Sequence, residues 1–362
     1  MTPWLPPPPQ ITLGTAAPST QLKMPKKLVK RAPPDRSQAL RRSFQLAFLA
    51  LNVWIGIEFY LFVRYYETGG RSVFVDRPAG VEGWLPIASL MNLKVLLLTG
   101  LLPRVHAAGL FLLIAFVTVS WIFRKAFCSW LCPVGTVSEY LWRMGRRIFR
   151  RNFHLPRALD LALRSLKYIL LLLFLYAVVS MSVAAIRGFL GGPYGLVADV
   201  KMLNFFRFLG LTGAIVLVIL VFASMLLQNL WCRYLCPYGA LLGAVSFASP
   251  LRIRRDAGLC IDCGKCSRAC PSVLPVDRLV AIRSAECTGC LECVAACPAA
   301  GALFLSTPVR GRRVPAWVVA AGIAALFLGI CTYARSTGHW QTDVPSRTYS
   351  ELIPHANEFE HP

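Results

Sequence analysis

The sequence predicts an all-α integral membrane helical bundle of about five transmembrane helices, with a small Cys-rich α+β domain inserted near its C-terminal end. Three observations predict this: the apolar composition, five long apolar stretches, and an abrupt change of composition over residues 250–305. Of the 362 residues 56% are hydrophobic and only 15% charged, a balance far from that of an ordinary soluble domain. Residues 44–64, 105–123, 167–187, 208–229 and 314–333 are each long and apolar enough to cross about 30 Å of hydrocarbon. Because lipid offers the backbone no hydrogen-bond partner, such spans are expected to be helices.

A net charge of +22 raises the question of nucleic acid, and the position of the charge answers it. Residues 1–43, 124–167 and 232–313 hold 29 of the 39 Lys and Arg but only eight acids. These segments flank the expected spans on one side, which the positive-inside rule makes the cytoplasm. The excess charge is topological, so no nucleic-acid partner is expected. The predicted path starts inside, crosses five times and leaves the C-terminal tail outside, in the periplasm of a bacterial inner membrane. Residues 85–102, LPIASLMNLKVLLLTGLL, are also apolar, but a sixth crossing there would invert every later loop. They are expected to be an interfacial or re-entrant element.

Element by element, residues 1–43 open with WLPPPP and run through KMPKKLVKRAPPDR, a Pro-rich basic stretch expected to be disordered. Arg41 and Arg42, ahead of an apolar run, resemble a twin-arginine signal. No small-residue cleavage site follows, and the pair is better explained as the positive flank of a retained helix. Residues 44–140 and 167–245 then read as two hairpins in the same orientation, joined by the basic linker 141–166. Each hairpin ends on a return helix followed by the same motif, FCSWLCPVG at 127–135 and WCRYLCPYG at 231–239. The outer loops add a weak echo, LPIASLMN against YGLVADVKMLN. The pattern is that of a parallel duplication about an axis along the membrane normal. After residues 250–305 come the last span, 314–333, and the tail, 334–362.

The inserted segment carries the strongest chemistry. CIDCGKCSRACP (Cys260, Cys263, Cys266, Cys270) and CTGCLECVAACP (Cys287, Cys290, Cys293, Cys297) both match C-x2-C-x2-C-x3-C-P. Three thiolates on a tight loop reach different irons of one cubane, and the fourth points to the neighbouring cluster. Two 4Fe-4S clusters are therefore expected, one on Cys260, Cys263, Cys266 and Cys297, the other on Cys287, Cys290, Cys293 and Cys270. Zinc would need two pairs of ligands per site, and a reducing cytoplasm argues against disulfides. The domain is thus a two-cluster ferredoxin-like unit whose task is one-electron transfer. Lys265, Arg268 and Arg283 lie near enough in sequence to tune it, or simply to solvate its surface.

The CxxxCP pairs are less determined. On a helix, residues four apart share a face, so Cys128 and Cys132 would point one way and Cys232 and Cys236 likewise. Two-fold related hairpins would bring all four thiols together, where they would suit copper(I) or additional iron, or cycle as dithiols. Alternatively they are small packing residues beside the helix-ending Pro133 and Pro237. Glu58, a carboxylate inside the first span, would favour a cavity or proton path and is a candidate quinol-site group. His106 is expected at the interface and Cys331 to pack as an apolar residue. His339, His355 and His361 of the tail are weak candidates for metal capture.

In its order of parts, two CxxxCP hairpins followed by two cubane motifs, the chain resembles the NapH/NosR/CcoG group of polyferredoxin membrane proteins, and within it the short YccM-like branch. The likeness covers roughly residues 44–333. It implies electron transport, with quinol oxidation or support of copper-enzyme maturation as the functions known among relatives. It also implies that the eight cubane cysteines are ligands, while the CxxxCP pairs match motifs of varied role. Compared with those relatives, no flavin-binding domain of the NosR-like kind and no folded periplasmic domain of the CcoG-like kind is expected within these residues, and a helix beyond the end of NapH-like chains is. No nicotinamide or flavin fingerprint is visible. An electron carrier, or a subunit of a quinol-linked oxidoreductase, is expected rather than a complete enzyme. Lipid, quinone or quinol, and a redox protein are the expected partners. The other reading from the residues is a metal-assembly factor whose CxxxCP thiols handle copper for an outer enzyme.

Overall fold

A computed structural model describes residues 30–361 apart from 34, 154 and 308–310. The disorder expected within residues 1–43 therefore falls largely outside the described residues. What is described of that segment is ordered: Ala32 N–H donates to the Pro298 carbonyl and Ala300 N–H to that of Lys30. The first helix, α1 (Ser37–Glu67), starts seven residues ahead of the apolar stretch at 44.

The chain is mostly helical. After α1 come α2 (Pro86–Thr99), α3 (Ala107–Ile122), α4 (Pro133–Phe149), α5 (Arg157–Ser180), α6 (Val183–Gly191), α7 (Pro193–Leu196), α8 (Ala198–Arg207), α9 (Leu211–Leu226) and α10 (Pro237–Ser246). Strands β1 (Arg252–Arg255) and β2 (Leu303–Ser306) enclose α11 (Lys265–Ala269) and α12 (Glu292–Ala295); α13 (Ala316–Ser336) and α14 (Ser346–Leu352) follow. The two strands form an antiparallel pair in which Arg252 faces Ser306 and Arg255 faces Leu303. This ribbon closes residues 252–306 into a small lobe.

By length and composition α1, α5 and α13 would each cross a membrane, and α8 with α9 would make a fourth span bent by 82°. Of the five stretches expected to span, those at 44–64, 167–187, 208–229 and 314–333 fall on these helices. The stretch 105–123 yields α3, whose 16 residues rise about 24 Å, short of a bilayer core. Leu110, Ala115 and Val119 of α3 are fully buried. A helix apolar all round belongs in a core as readily as in lipid, and α3 is the central core helix. Residues 85–102 give the 14-residue α2, too short to cross, packed on α3, α5 and α6. The stretch 167–187 breaks at Ser180, after which α6 begins at Val183.

The burial pattern of α9 is inverted relative to a soluble protein: Ser224 is its buried residue, while Leu211, Val218 and Ile219 are exposed. Leu172, Leu173 and Tyr176 of α5 are exposed as well. An apolar surface on this scale requires an apolar solvent, so the protein is membrane-embedded.

The helices interlock reciprocally. The helix after the first CxxxCP motif, α4, packs on α9 of the other half, and α10, after the second motif, packs on α3 of the first half. Gly145 makes the first crossing possible, since a Cβ there would sit 1.8 Å from the Met225 carbonyl oxygen.

Candidate functional site

Both CxxxCP motifs fold into the same local shape. A π-helical turn, Phe127–Leu131 in one half and Trp231–Leu235 in the other, carries the first cysteine. The second cysteine is extended, with ψ of 119° at Cys132 and 105° at Cys236. The following proline dictates this, because Pro disfavours helical geometry in the residue before it and is pre-set for the first helical position. The cysteines therefore do not share a continuous helical face. Cys132 and Cys236 instead cap α4 and α10, their sulfurs accepting N–H from Gly135 at 3.4 Å and Gly239 at 3.2 Å.

All four thiols nevertheless line one cavity of ≈ 1140 Å³. Glu58 lines it too, as do Trp54, Phe116, Phe127, Tyr238 and Cys331. Its far end reaches Arg77, Gly80 and Trp84 in the segment between α1 and α2. Burial pushes the Cys128 thiol up to about 11 and that of Cys132 to about 12. The Lys125 ammonium opposes this at Cys128, Cys232 and Cys236. Two helix N-termini and a buried lysine make the spot electropositive, as an anionic metal–thiolate centre needs. Among the described residues no three His, Cys, Asp or Glu side chains close around a single ion.

In the small lobe the cysteines lie in two sets. Cys260, Cys263, Cys266 and Cys297 line one small cavity. Cys270 lies with Cys287, Cys290 and Cys293: Cys270 feels the charge of Cys287, Cys290 that of Cys270, and Cys293 that of the other three. This second set is buried, whereas the first set is partly exposed. Burial raises the Cys290 thiol to about 12, so binding metal there must displace protons. The arrangement, three thiols from one loop and the fourth from the other, fits two cubanes.

The first CxxxCP turn is joined directly to the buried set. Ser129 Oγ donates to the Thr288 carbonyl at 2.6 Å and Trp130 Nε1 to that of Gly289 at 3.2 Å. Gly289 has φ of +61°, and a Cβ there would meet the Phe123 carbonyl oxygen at 2.7 Å, so only glycine allows this approach. Around the junction lie charges that periodicity could not reveal. Arg41 is fully buried and bonds both Glu139 oxygens at 2.7 Å, Glu292 at 2.6 Å and the Ser129 carbonyl at 3.2 Å. It staples α1 to the lobe, while Arg42 is exposed. Gln38 donates to the Cys290 carbonyl, and buried Lys167 holds both oxygens of Glu286, next to Cys287. The only sequence hint was their position beside apolar spans.

Of the lesser candidates, Lys265 and Arg283 are exposed, and Arg268, also exposed, donates to the Cys263 carbonyl at 2.8 Å. Arg255, not singled out from sequence, feels the Cys260 thiol most strongly. The tail histidines do not converge: His339 lies by Phe111, His355 by Glu358, and His361 by Phe189 and Tyr194. His106 is 2% exposed, in a cluster with Glu82 and Arg77.

A helical membrane scaffold with two ferredoxin motifs docked on a thiol-lined cavity defines a membrane-embedded iron–sulfur electron-transfer protein. The profile of a 4Fe-4S binding domain matches residues 105–155 and 209–255, and that of a 4Fe-4S dicluster domain residues 252–298. The chain is 49% identical over 326 residues to YccM of Escherichia coli (strain K12), provisionally named an electron transport protein, covering 89% of this chain and 91% of that one. It is 28% identical over 184 residues to the ferredoxin-type protein NapH of Haemophilus influenzae, covering 48% of this chain and 59% of NapH. It is also 28% identical over 224 residues to the regulatory protein NosR of Pseudomonas aeruginosa, covering 58% and 30%. The chain belongs to the NapH/NosR-type family, alongside YccM. No solved structure matches it.

Proposed function

We propose that the protein passes electrons between a membrane quinone pool and a redox partner through two 4Fe-4S clusters. Cys260, Cys263, Cys266 and Cys297 would hold one and Cys287, Cys290, Cys293 and Cys270 the other. Bound there, the clusters supply reversible one-electron chemistry. The observation that carries the reading is continuity: the turn that contributes Cys128 to the cavity is the turn that hydrogen-bonds the Thr288–Gly289 loop of the buried set. The cavity itself suits a quinone. It is larger than the roughly 300–1,000 Å³ of ordinary ligand sites, walled by Trp54, Phe116 and Phe127, with Glu58 and Asp76 as its acid groups. Cys128, Cys132, Cys232 and Cys236 form the relay between cavity and lobe and hold additional iron. The reciprocal α4–α9 and α10–α3 packing supports a parallel duplication that sets these thiols about its axis. Positive charge on the lobe side supports a cytoplasmic lobe in a bacterial inner membrane.

The test is anaerobically purified protein mixed with a short-chain quinol and followed by EPR. The reading expects the clusters to be reduced by quinol, or oxidised by the matching quinone. If neither exchange occurs with any quinone, the quinone role is lost. Metal analysis of the same sample addresses the relay: about eight irons per chain would be two cubanes alone, and iron beyond that, lost on replacing Cys132 and Cys236 by Ser, assigns the CxxxCP thiols.

A further inference from the structure

At the end of the cavity away from the small lobe lies a buried charge cluster that electron transfer alone does not use. Glu82, fully buried, precedes α2, and Asp199, 1% exposed, is on α8 of the other half. Arg77, which lines the cavity, joins them, with Nη1 2.7 Å from Glu82 and Nη2 2.7 Å from Asp199. Thr342 of the tail donates its hydroxyl to Glu82, and Gly109 N–H donates to the other Glu82 oxygen at 2.9 Å. His106 completes the set. Its Nε2 is 2.9 Å from the Gly195 carbonyl oxygen, so that nitrogen carries a hydrogen. Its Nδ1 stands 3.6 Å from Glu82 Oε1 and has no hydrogen-bond partner among the described residues. A neutral ring would aim a lone pair at a carboxylate. A protonated ring aims N–H there, and also balances two carboxylates with two cations in a site that water does not solvate. The arrangement is built to hold one exchangeable proton.

We infer that the His106–Glu82 pair is the proton-release site of quinol oxidation, taking protons from the Arg77 end of the cavity and passing them to the face opposite the small lobe. This rests on the quinone reading above. Quinol becomes quinone by losing two electrons and two protons. The electrons leave singly towards the iron–sulfur lobe, and the protons leave one after the other through His106 Nδ1. The groups facing that nitrogen are Glu82 from the segment before α2, Asp199 from α8 and Arg77 from its loop. Tyr349 of α14 faces Arg77 as a neutral phenol, raised to about 12 by burial. Burial favours the neutral imidazole, but Glu82 and Asp199 outweigh burial and Arg77, so His106 titrates above its usual 6.5.

The experiment measures the rate at which a short-chain quinol reduces the iron–sulfur centres of the full-length protein, from about pH 5.5 to about pH 8.5. Neutral His106 is the acceptor, so the wild-type rate should rise up to about tenfold per pH unit below a midpoint above 6.5 and level off beyond it. His106→Asn should flatten that limb and slow the reaction at the plateau by about tenfold or more, and Glu82→Asp should restore a limb that Glu82→Gln removes. Reduction by dithionite, which needs no proton acceptor here, should stay unchanged in all. Thr342→Val leaves both partners in place but removes a donor to Glu82, and should move the midpoint upward. An unaltered pH profile in His106→Asn, or an unmoved midpoint in Thr342→Val, overturns the assignment while the quinone reading stands. A wild-type protein that quinol fails to reduce overturns both.

Discussion

Arg41 offers the sharpest test of how the small lobe is held against the membrane helices. Replacing it by Gln leaves Glu139, at 8% side-chain exposure, and Glu292, at 18%, without the guanidinium that contacts both. Breaking a buried ion pair from one side costs about 3–5 kcal/mol, because the surviving charge stays desolvated. Arg143 remains, 2.6 Å from Glu139 and also bonded to Glu292, which places the cost near the lower end, about 3 kcal/mol. At about 1.4 kcal/mol per tenfold, opening of the lobe should become roughly a hundredfold more frequent. Limited proteolysis in detergent reads this directly when opening and closing outpace cleavage, since cutting then tracks the open population. Arg42→Gln, one residue on and exposed, should leave cleavage within about twofold. If Arg41→Gln is cut no faster than Arg42→Gln, the staple is not what holds the lobe.

Three further outcomes follow from the same geometry. Cys297→Ser should abolish the same cluster signal as Cys263→Ser, although Cys297 belongs to the other motif, and EPR of the reduced variants decides it; loss of the Cys290 signal instead would refute the crossed pairing. Gly145→Ala should destabilise by about 1–3 kcal/mol or more, since the added methyl meets the Met225 backbone, whereas Gly56→Ala in α1, with nothing within 4 Å of the new Cβ, should be neutral or stabilising in thermal melts. Burial alone would push Glu82 upward, but Arg77, His106 and Thr342 hold it down at about 2, from the usual 4.5. Its contribution is then complete above pH 4.5 and lost as pH falls towards 2. Acid-unfolding curves should show a loss there of about 3 kcal/mol that Glu82→Gln lacks.

How much of this was readable in the sequence depended on range. The cubane spacing is a local code, readable without knowledge of the fold. Pro133 and Pro237 likewise mark where each CxxxCP turn ends, but the π-turn before them has no sequence period, so the shared helical face was the wrong geometry. The apolar stretch at 105–123 could not declare whether lipid or protein would surround it, because Leu and Val pack equally well against either. Arg41, His106 and Glu82 were hidden for the opposite reason. Their partners lie far away in sequence, in Glu139 and Glu292, in Gly195, and in Thr342.

The crossed packing of α4 on α9 and α10 on α3 bears on how the protein is made. A nascent chain that has emerged only as far as residue 150 carries Cys128 and Cys132 but neither Cys232 nor Cys236, and the surface Gly145 presents to Met225 has nothing to meet. The thiol chamber therefore has no half-finished version that a metallating chaperone could load. On the proposed role of the chamber, its iron enters after synthesis has passed α10, and severing the gene between the halves should yield fragments that insert yet lack the iron the chamber adds to the two cubanes.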